Sequence, residues 1–153
     1  MPLIDLVAPN AILPVLKVNN KKQALQEIAA RAAVLTGLNE RAIFETLMQR
    51  EKLGSTAVGN GIAIPHGKMP HLTRLFGLFA RLDRPIDFEA LDGQPVDLIF
   101  LLLAPEGAGA DHLKALARIA RLLRDQDVAK KLRASRDAQA IYSVLALPPA
   151  SAA

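Results

Sequence analysis

The run Leu98–Ala104, LIFLLLA, lies between Asp97 and Pro105 and contains no polar residue. A strand with one wet face alternates apolar and polar side chains, so an unbroken apolar run of this length marks a strand covered on both faces. Such a strand needs a layer on each side of its sheet. Helical and strand-like patterns alternate along the rest of the chain, which predicts a three-layer α/β domain with the sheet between helices. The run is too short to cross a bilayer, where about 20 residues are needed for a helix.

Val15–Val18 reads as a first strand, followed by a helix over Lys21–Leu35. In that helix Ala24, Ile28, Ala32 and Leu35 recur at helical spacing, and Gly37 sits just past the end. Asn39 is placed to cap a second helix, Glu40–Lys52, with Ile43, Phe44, Leu47 and Met48 on one face and Gly54 beyond it. Ile62–Ile64 and Leu75–Leu82 read as strands, the second with a central glycine. A helix from about His112 to Arg124, with Asp111 as its N-cap, turns Leu113, Leu116, Ala120 and Leu123 inward. Its outer stripe, Lys114, Arg118 and Arg121, reads as a solvated face. Asp127–Ala134 and Asp137–Leu145 complete the helices. The chain has 153 residues and neither a repeat nor a linker, so 1–147 reads as one domain and 148–153, LPPASAA without its leucine, as a disordered tail.

Hydrophobic residues make up 51% of the chain and aromatics only 4%, so the core is built mainly from Leu, Ile, Val and Ala. The absence of cysteine excludes a disulfide scaffold, a thiolate zinc site and a Cys nucleophile. The net charge of +4 is spread along the chain, with one Tyr and no Trp to stack on bases. It therefore reads as a solvated basic surface, with no nucleic-acid partner. The N-terminus carries Asp5 and lacks the basic head and apolar core of a secretory signal, which places the chain in the cytoplasm without stable membrane insertion.

Four of the nine glycines fall in Gly54–Gly67, GSTAVGNGIAIPHG. Such density marks backbone at positive φ or backbone that must come close to something. Gly54–Gly59 has P-loop spacing, but Asn60-Gly61 stands where Lys-Ser or Lys-Thr is required. The dinucleotide fingerprint fails as well, with Ile64 in place of its third glycine. What remains is His66. Pro65 would stop the strand Ile62–Ile64 and deliver this imidazole at a strand end, where open α/β sheets bind ligands. Gly67 would leave space beside it. On these residues alone, a presented imidazole and an ordinary turn histidine fit equally well.

The segment Arg50–Lys68, REKLGSTAVGNGIAIPHGK, resembles the active-site region of the enzyme IIA domains of the mannitol/fructose class in the bacterial phosphoenolpyruvate:sugar phosphotransferase system. It is most similar to the nitrogen-related branch, which acts in regulation. The resemblance extends over nearly the whole chain, including Gly93–Pro105 and Asp111–Asp125. It implies a mixed, roughly five-stranded sheet flanked by helices. It also implies that His66 accepts a phosphoryl group as a tele-phosphohistidine from a histidine-phosphorylated carrier of the HPr type. His112 and Arg50 match residues that stabilise the phosphoryl group, and regulated proteins are the implied further partners. Ser55 and Thr56 could add hydroxyl contacts to phosphate.

Histidine suits a relay because its unperturbed pKa near ~6.5 leaves much of it neutral and nucleophilic at cytoplasmic pH. No cofactor is expected, since the donor is another protein. His71 matches nothing in the family and reads as a surface residue. Three other functions compete: a fructose- or mannitol-specific component serving a membrane permease, a non-enzymatic binding module that keeps the fold without the relay, and a metal-dependent hydrolase with His66 and His112 as ligands. The hydrolase lacks any HxxxH, HxH or Cys-pair spacing.

Overall fold

The computed structural model describes residues 3–147; the expected tail, 148–153, lies outside the described residues. A short 3-10 turn, Leu3–Asp5, leads into β1, Val7–Leu16. The helices α1, Lys21–Thr36, and α2, Glu40–Lys52, follow. Four strands come next, β2 (Ala57–Gly59), β3 (Ile62–Ala63), β4 (His66–Met69) and β5 (Phe76–Ile86). β6, Val96–Pro105, precedes α3 (Ala110–Arg124), α4 (Gln126–Ala134) and α5 (Ala138–Leu145).

The sheet order is β1-β5-β6-β3-β2, with β4 also paired to β6. β5 runs antiparallel to β6 on one edge, while β3 and β4 both run parallel to β6 on the other. The six strands therefore occupy five lanes, and the sheet is mixed as expected. Every residue of Leu98–Ala104 is buried, which requires cover on both faces. One layer is the α1–α2 pair, packed on β1, β5 and β4, and the other is α3, α4 and α5, which join one another and reach β6 and β1. Phe79 and Phe100 meet edge to face at the centre, 6.4 Å apart.

The caps follow the sequence closely. The Asn39 side chain accepts from the Ala42 N–H, Asn20 accepts from Gln23, and Gly37 closes α1 at φ 77°. Three expectations need correction. The first strand is ten residues long and begins at Val7, eight residues before Val15; its register shifts accommodate Pro9 and Pro14, which an edge strand tolerates. Asp111 is not the cap of α3: the helix starts at Ala110 after Gly109 and has no side-chain cap. Its buried residues are His112, Ala115, Ile119 and Leu123, while Leu113 is 67% exposed. The helix is rotated so that a histidine, rather than a leucine, heads the buried stripe.

The glycine-rich segment folds as a β2–β3 hairpin around Asn60-Gly61, with φ of 58° and 81° at the two turn residues. An Asn-Gly pair between strands favours a tight turn of this hand. β3 and β4 are one lane interrupted at Ile64-Pro65. Ile64 turns its N–H to Thr56 O, Pro65 has none to give, and the Pro65 carbonyl takes the Leu102 N–H. His66 thus opens a new strand and is not left at the end of the old one.

Among the described residues no helix is long and apolar enough to cross a membrane.

Candidate functional site

The interruption in the β3–β4 lane gives His66 its orientation. Its Nδ1 lies 2.8 Å from the Ile64 carbonyl, which can only accept, so Nδ1 carries the proton. Nε2 is then the nitrogen with the lone pair. Arg50, in the last turn of α2, donates its Nε–H to that nitrogen at 3.3 Å and its Nη1–H to Gly54 O at 2.9 Å. The guanidinium is thereby held beside the imidazole by the loop that leaves its own helix.

His112 comes from the other helical layer. In the first turn of α3, its ring stands 5.6 Å from that of His66, at 64° between planes. It is buried, and among the described residues its Nε2 has no hydrogen-bond partner. Buried polar atoms are seldom left this way. The three residues for which the family resemblance implied a role are therefore together in space. Arg50 and His66 border a cavity of about 220 Å³ whose remaining wall is largely apolar, with Ala57, Val58, Ile64, Leu116 and Ala120.

Burial pushes the His66 pKa below its usual value; the Ile64 hydrogen bond works against this, Arg50 adds to it and Glu51 opposes it. His112 is also held low, first by burial and then by the charges of His66 and Lys68. Both rings thus favour the neutral form.

Ser55 and Thr56 line the same cavity, but their hydroxyl protons point elsewhere. Ser55 Oγ donates to Phe88 O at 2.6 Å, and Thr56 Oγ1 donates to the Glu51 carboxylate. In this arrangement neither hydroxyl is a free donor. Gly67 does not leave space beside the imidazole: a Cβ there would come within 2.6 Å of Thr46 Cγ2, so the glycine lets α2 lie against β4. His71 is exposed. Among the described residues no group of three or more His, Asp or Glu side chains is placed to hold a metal ion.

Sequence reasoning missed Glu51. Its carboxylate is buried beneath the site and joined to Lys21 Nζ at 2.9 Å, while Lys21 also lies over the Phe88 ring. A signal was present, because position 51 continues the Ile43–Leu47 stripe at the next i+4 step. Its setting between Arg50 and Lys52 hides that in a run that looks solvated.

Residues 5–147 match the family profile described as the phosphoenolpyruvate-dependent sugar phosphotransferase system, EIIA 2. A nitrogen regulatory protein of Bradyrhizobium diazoefficiens is 84% identical over 153 residues, all of both chains. One from Pseudomonas aeruginosa is 42% identical over 144 residues, 94% of each chain. Among solved structures, the nitrogen regulatory protein IIA-Ntr of Neisseria meningitidis superposes with a TM-score of 0.87 at 34% identity, covering 92% of this chain and 97% of that one.

Proposed function

The chain belongs to the EIIA 2 family of the phosphoenolpyruvate-dependent sugar phosphotransferase system, and on that premise we propose that it accepts a phosphoryl group on His66 Nε2 and acts on protein partners according to whether that group is present. The names of its relatives as nitrogen regulatory proteins support the regulatory half of this reading. The observation that carries the chemical half is the His66 ring itself, with Nδ1–H tied to a carbonyl and the Nε2 lone pair facing Arg50.

The donor is a phosphohistidine on an HPr-type carrier. The Nε2 lone pair attacks phosphorus, the new N–P bond forms, and the donor nitrogen keeps the electron pair of the bond that breaks. His66 becomes a phosphorylated imidazolium, whose Nδ1–H keeps its hydrogen bond to the Ile64 carbonyl. Charge moves onto the site, and the catalytic need is for fixed donors to the phosphoryl oxygens. Arg50 offers a planar fork suited to them. The unpartnered Nε2 of His112 offers a second donor when protonated, and the uncapped first turn of α3 leaves N–H groups and a positive dipole end nearby.

The test is incubation of the purified chain with phosphoenolpyruvate and the general phosphotransferase proteins. One phosphoryl group should appear by mass spectrometry, labile in acid and stable in alkali, and His66→Ala should gain none. Phosphate on Ser55 or Thr56 would overturn the assignment.

A further inference from the structure

Resting on that reading of His66, we propose that Glu51 is a positioning residue for the phosphoryl transfer, holding the His66 Nε2 lone pair in place through Thr56 and Ile64. The Glu51 side chain is only 4% exposed. A buried carboxylate is unfavourable unless it is paired and hydrogen-bonded, and an apolar replacement is often as stable. Glu51 meets the condition with three donors. Lys21 Nζ lies 2.9 Å from Oε1, the Thr56 N–H donates to Oε1 at 3.1 Å, and the Thr56 hydroxyl donates to Oε2.

The double hold on Thr56 fixes more than one residue. The Thr56 carbonyl accepts the Ile64 N–H at 3.0 Å, and the Ile64 carbonyl accepts His66 Nδ1–H at 2.8 Å. A continuous path therefore runs from the carboxylate to the imidazole. The segment it crosses, Ile64-Pro65, is where the β3–β4 lane breaks and where Pro65 has no N–H to give the ladder. Whichever way the Ile64 carbonyl points, the Nδ1 proton follows, and Nε2 is presented or lost accordingly. Glu51 also sits one residue from Arg50, so its charge opposes that of the guanidinium at the imidazole that turns cationic on phosphorylation.

Two variants test this. Glu51→Gln removes the charge and keeps an acceptor for Thr56 N–H; Thr56→Val removes the hydroxyl and leaves the Lys21–Glu51 pair intact. In each, nitrogen-15 NMR of the His66 ring reads the tautomer without any phosphoryl donor. The wild-type ring should show a single Nδ1–H form. Thr56→Val should show a mixture of tautomers, and its phosphorylation should slow by about ten- to a hundredfold, the range met when a metal-ligating imidazole loses its outer partner. Glu51→Gln should keep the tautomer better but lower the His66 pKa further. Folded variants with the wild-type tautomer, pKa and rate would overturn the proposal and reduce the cluster to a structural ion pair. Failure of the wild-type chain to take phosphate at all would instead sink the acceptor reading, which the NMR comparison does not depend on.

Discussion

At the scale of single residues, the proposed phosphoryl transfer rests on a ring that must be neutral to react. The folded pKa of His66 is depressed, chiefly by burial and then by Arg50, with Glu51 from the same helix opposing and His112 facing it from α3. Its nucleophilic form therefore persists below ~6.5, the unperturbed value. The acceptance rate should stay level as pH falls through ~6.5 and decline only below the depressed pKa; Arg50→Ala should move that decline to higher pH. A pH–rate profile of single-turnover phosphorylation checks both, and a wild-type decline centred above ~6.5 would contradict them. The linked stability has a definite sign. Since the unfolded histidines bind protons first, the contribution of His66 and His112 is full above ~6.5 and is lost as pH falls to the folded pKa values. Removal of a positioned donor to developing charge typically costs about 2.7–4 kcal/mol, or a hundred- to a thousandfold in rate. His112→Ala and Arg50→Ala should accordingly still be modified at His66, but slowly or without passing the group on. Wild-type rates in both directions for either variant would show that these side chains do not assist.

The elements hold these residues by close approaches that tolerate little change. α2 carries Arg50 and Glu51 to the site only because Gly67 lets Thr46 lie on β4. Gly67→Ala puts a Cβ 2.6 Å from the Thr46 methyl, and overpacking of this kind costs about 1–3 kcal/mol. Thr46→Ser removes that methyl and should restore part of the loss in the double variant, a non-additivity readable by urea denaturation. Additive losses would mean that this contact does not set the α2–β4 spacing. Gly77 works in the same way on the far side of the sheet. A Cβ there would meet Leu6 O and the Phe100 ring, both at 2.9 Å, so the glycine admits β1 alongside β5. The central glycine of LFGLFARL was visible in the sequence, but its neighbours were not.

Across the whole molecule, the site opens beside exposed apolar side chains, Val58 on β2 and Leu113 next to His112. A phosphoryl group brings roughly −1.5 to −2 charge and three acceptor oxygens to this surface. A partner that buries apolar groups against it should lose affinity on phosphorylation, because the dianion would be desolvated without a partner of its own. A partner presenting arginines should gain. Calorimetric titration of proteins captured by either form checks this, with His66→Ala behaving as the unphosphorylated state. Equal affinities for both forms across all captured partners would leave a simple phosphoryl carrier and favour service to a sugar permease.

Periodicity and local chemistry are properties of neighbours in the chain, and whatever depends on them could be read from the residues alone. The unbroken run Leu98–Ala104 required a central strand between two layers, and β6 is that strand. Asn39 and Gly37 marked helix ends because capping involves only the adjacent turn. The residues around His66 left a presented imidazole and a turn histidine equally open, and only the family resemblance singled the ring out. Tertiary structure decided the rest. Pro9 and Pro14 would break the ladder of an interior strand, and the edge position of β1 makes them harmless. The rotation of α3, which buries His112 and exposes Leu113, depends on the sheet it packs against. Arg50, His66 and His112 meet because α2 and α3 cover opposite faces of one sheet at a broken lane, and no local pattern records such a meeting. Glu51 is the clearest case: only the packing of α1, α2 and the Ser55–Thr56 loop around one carboxylate turns a residue of a charged run into a buried, paired and hydrogen-bonded group.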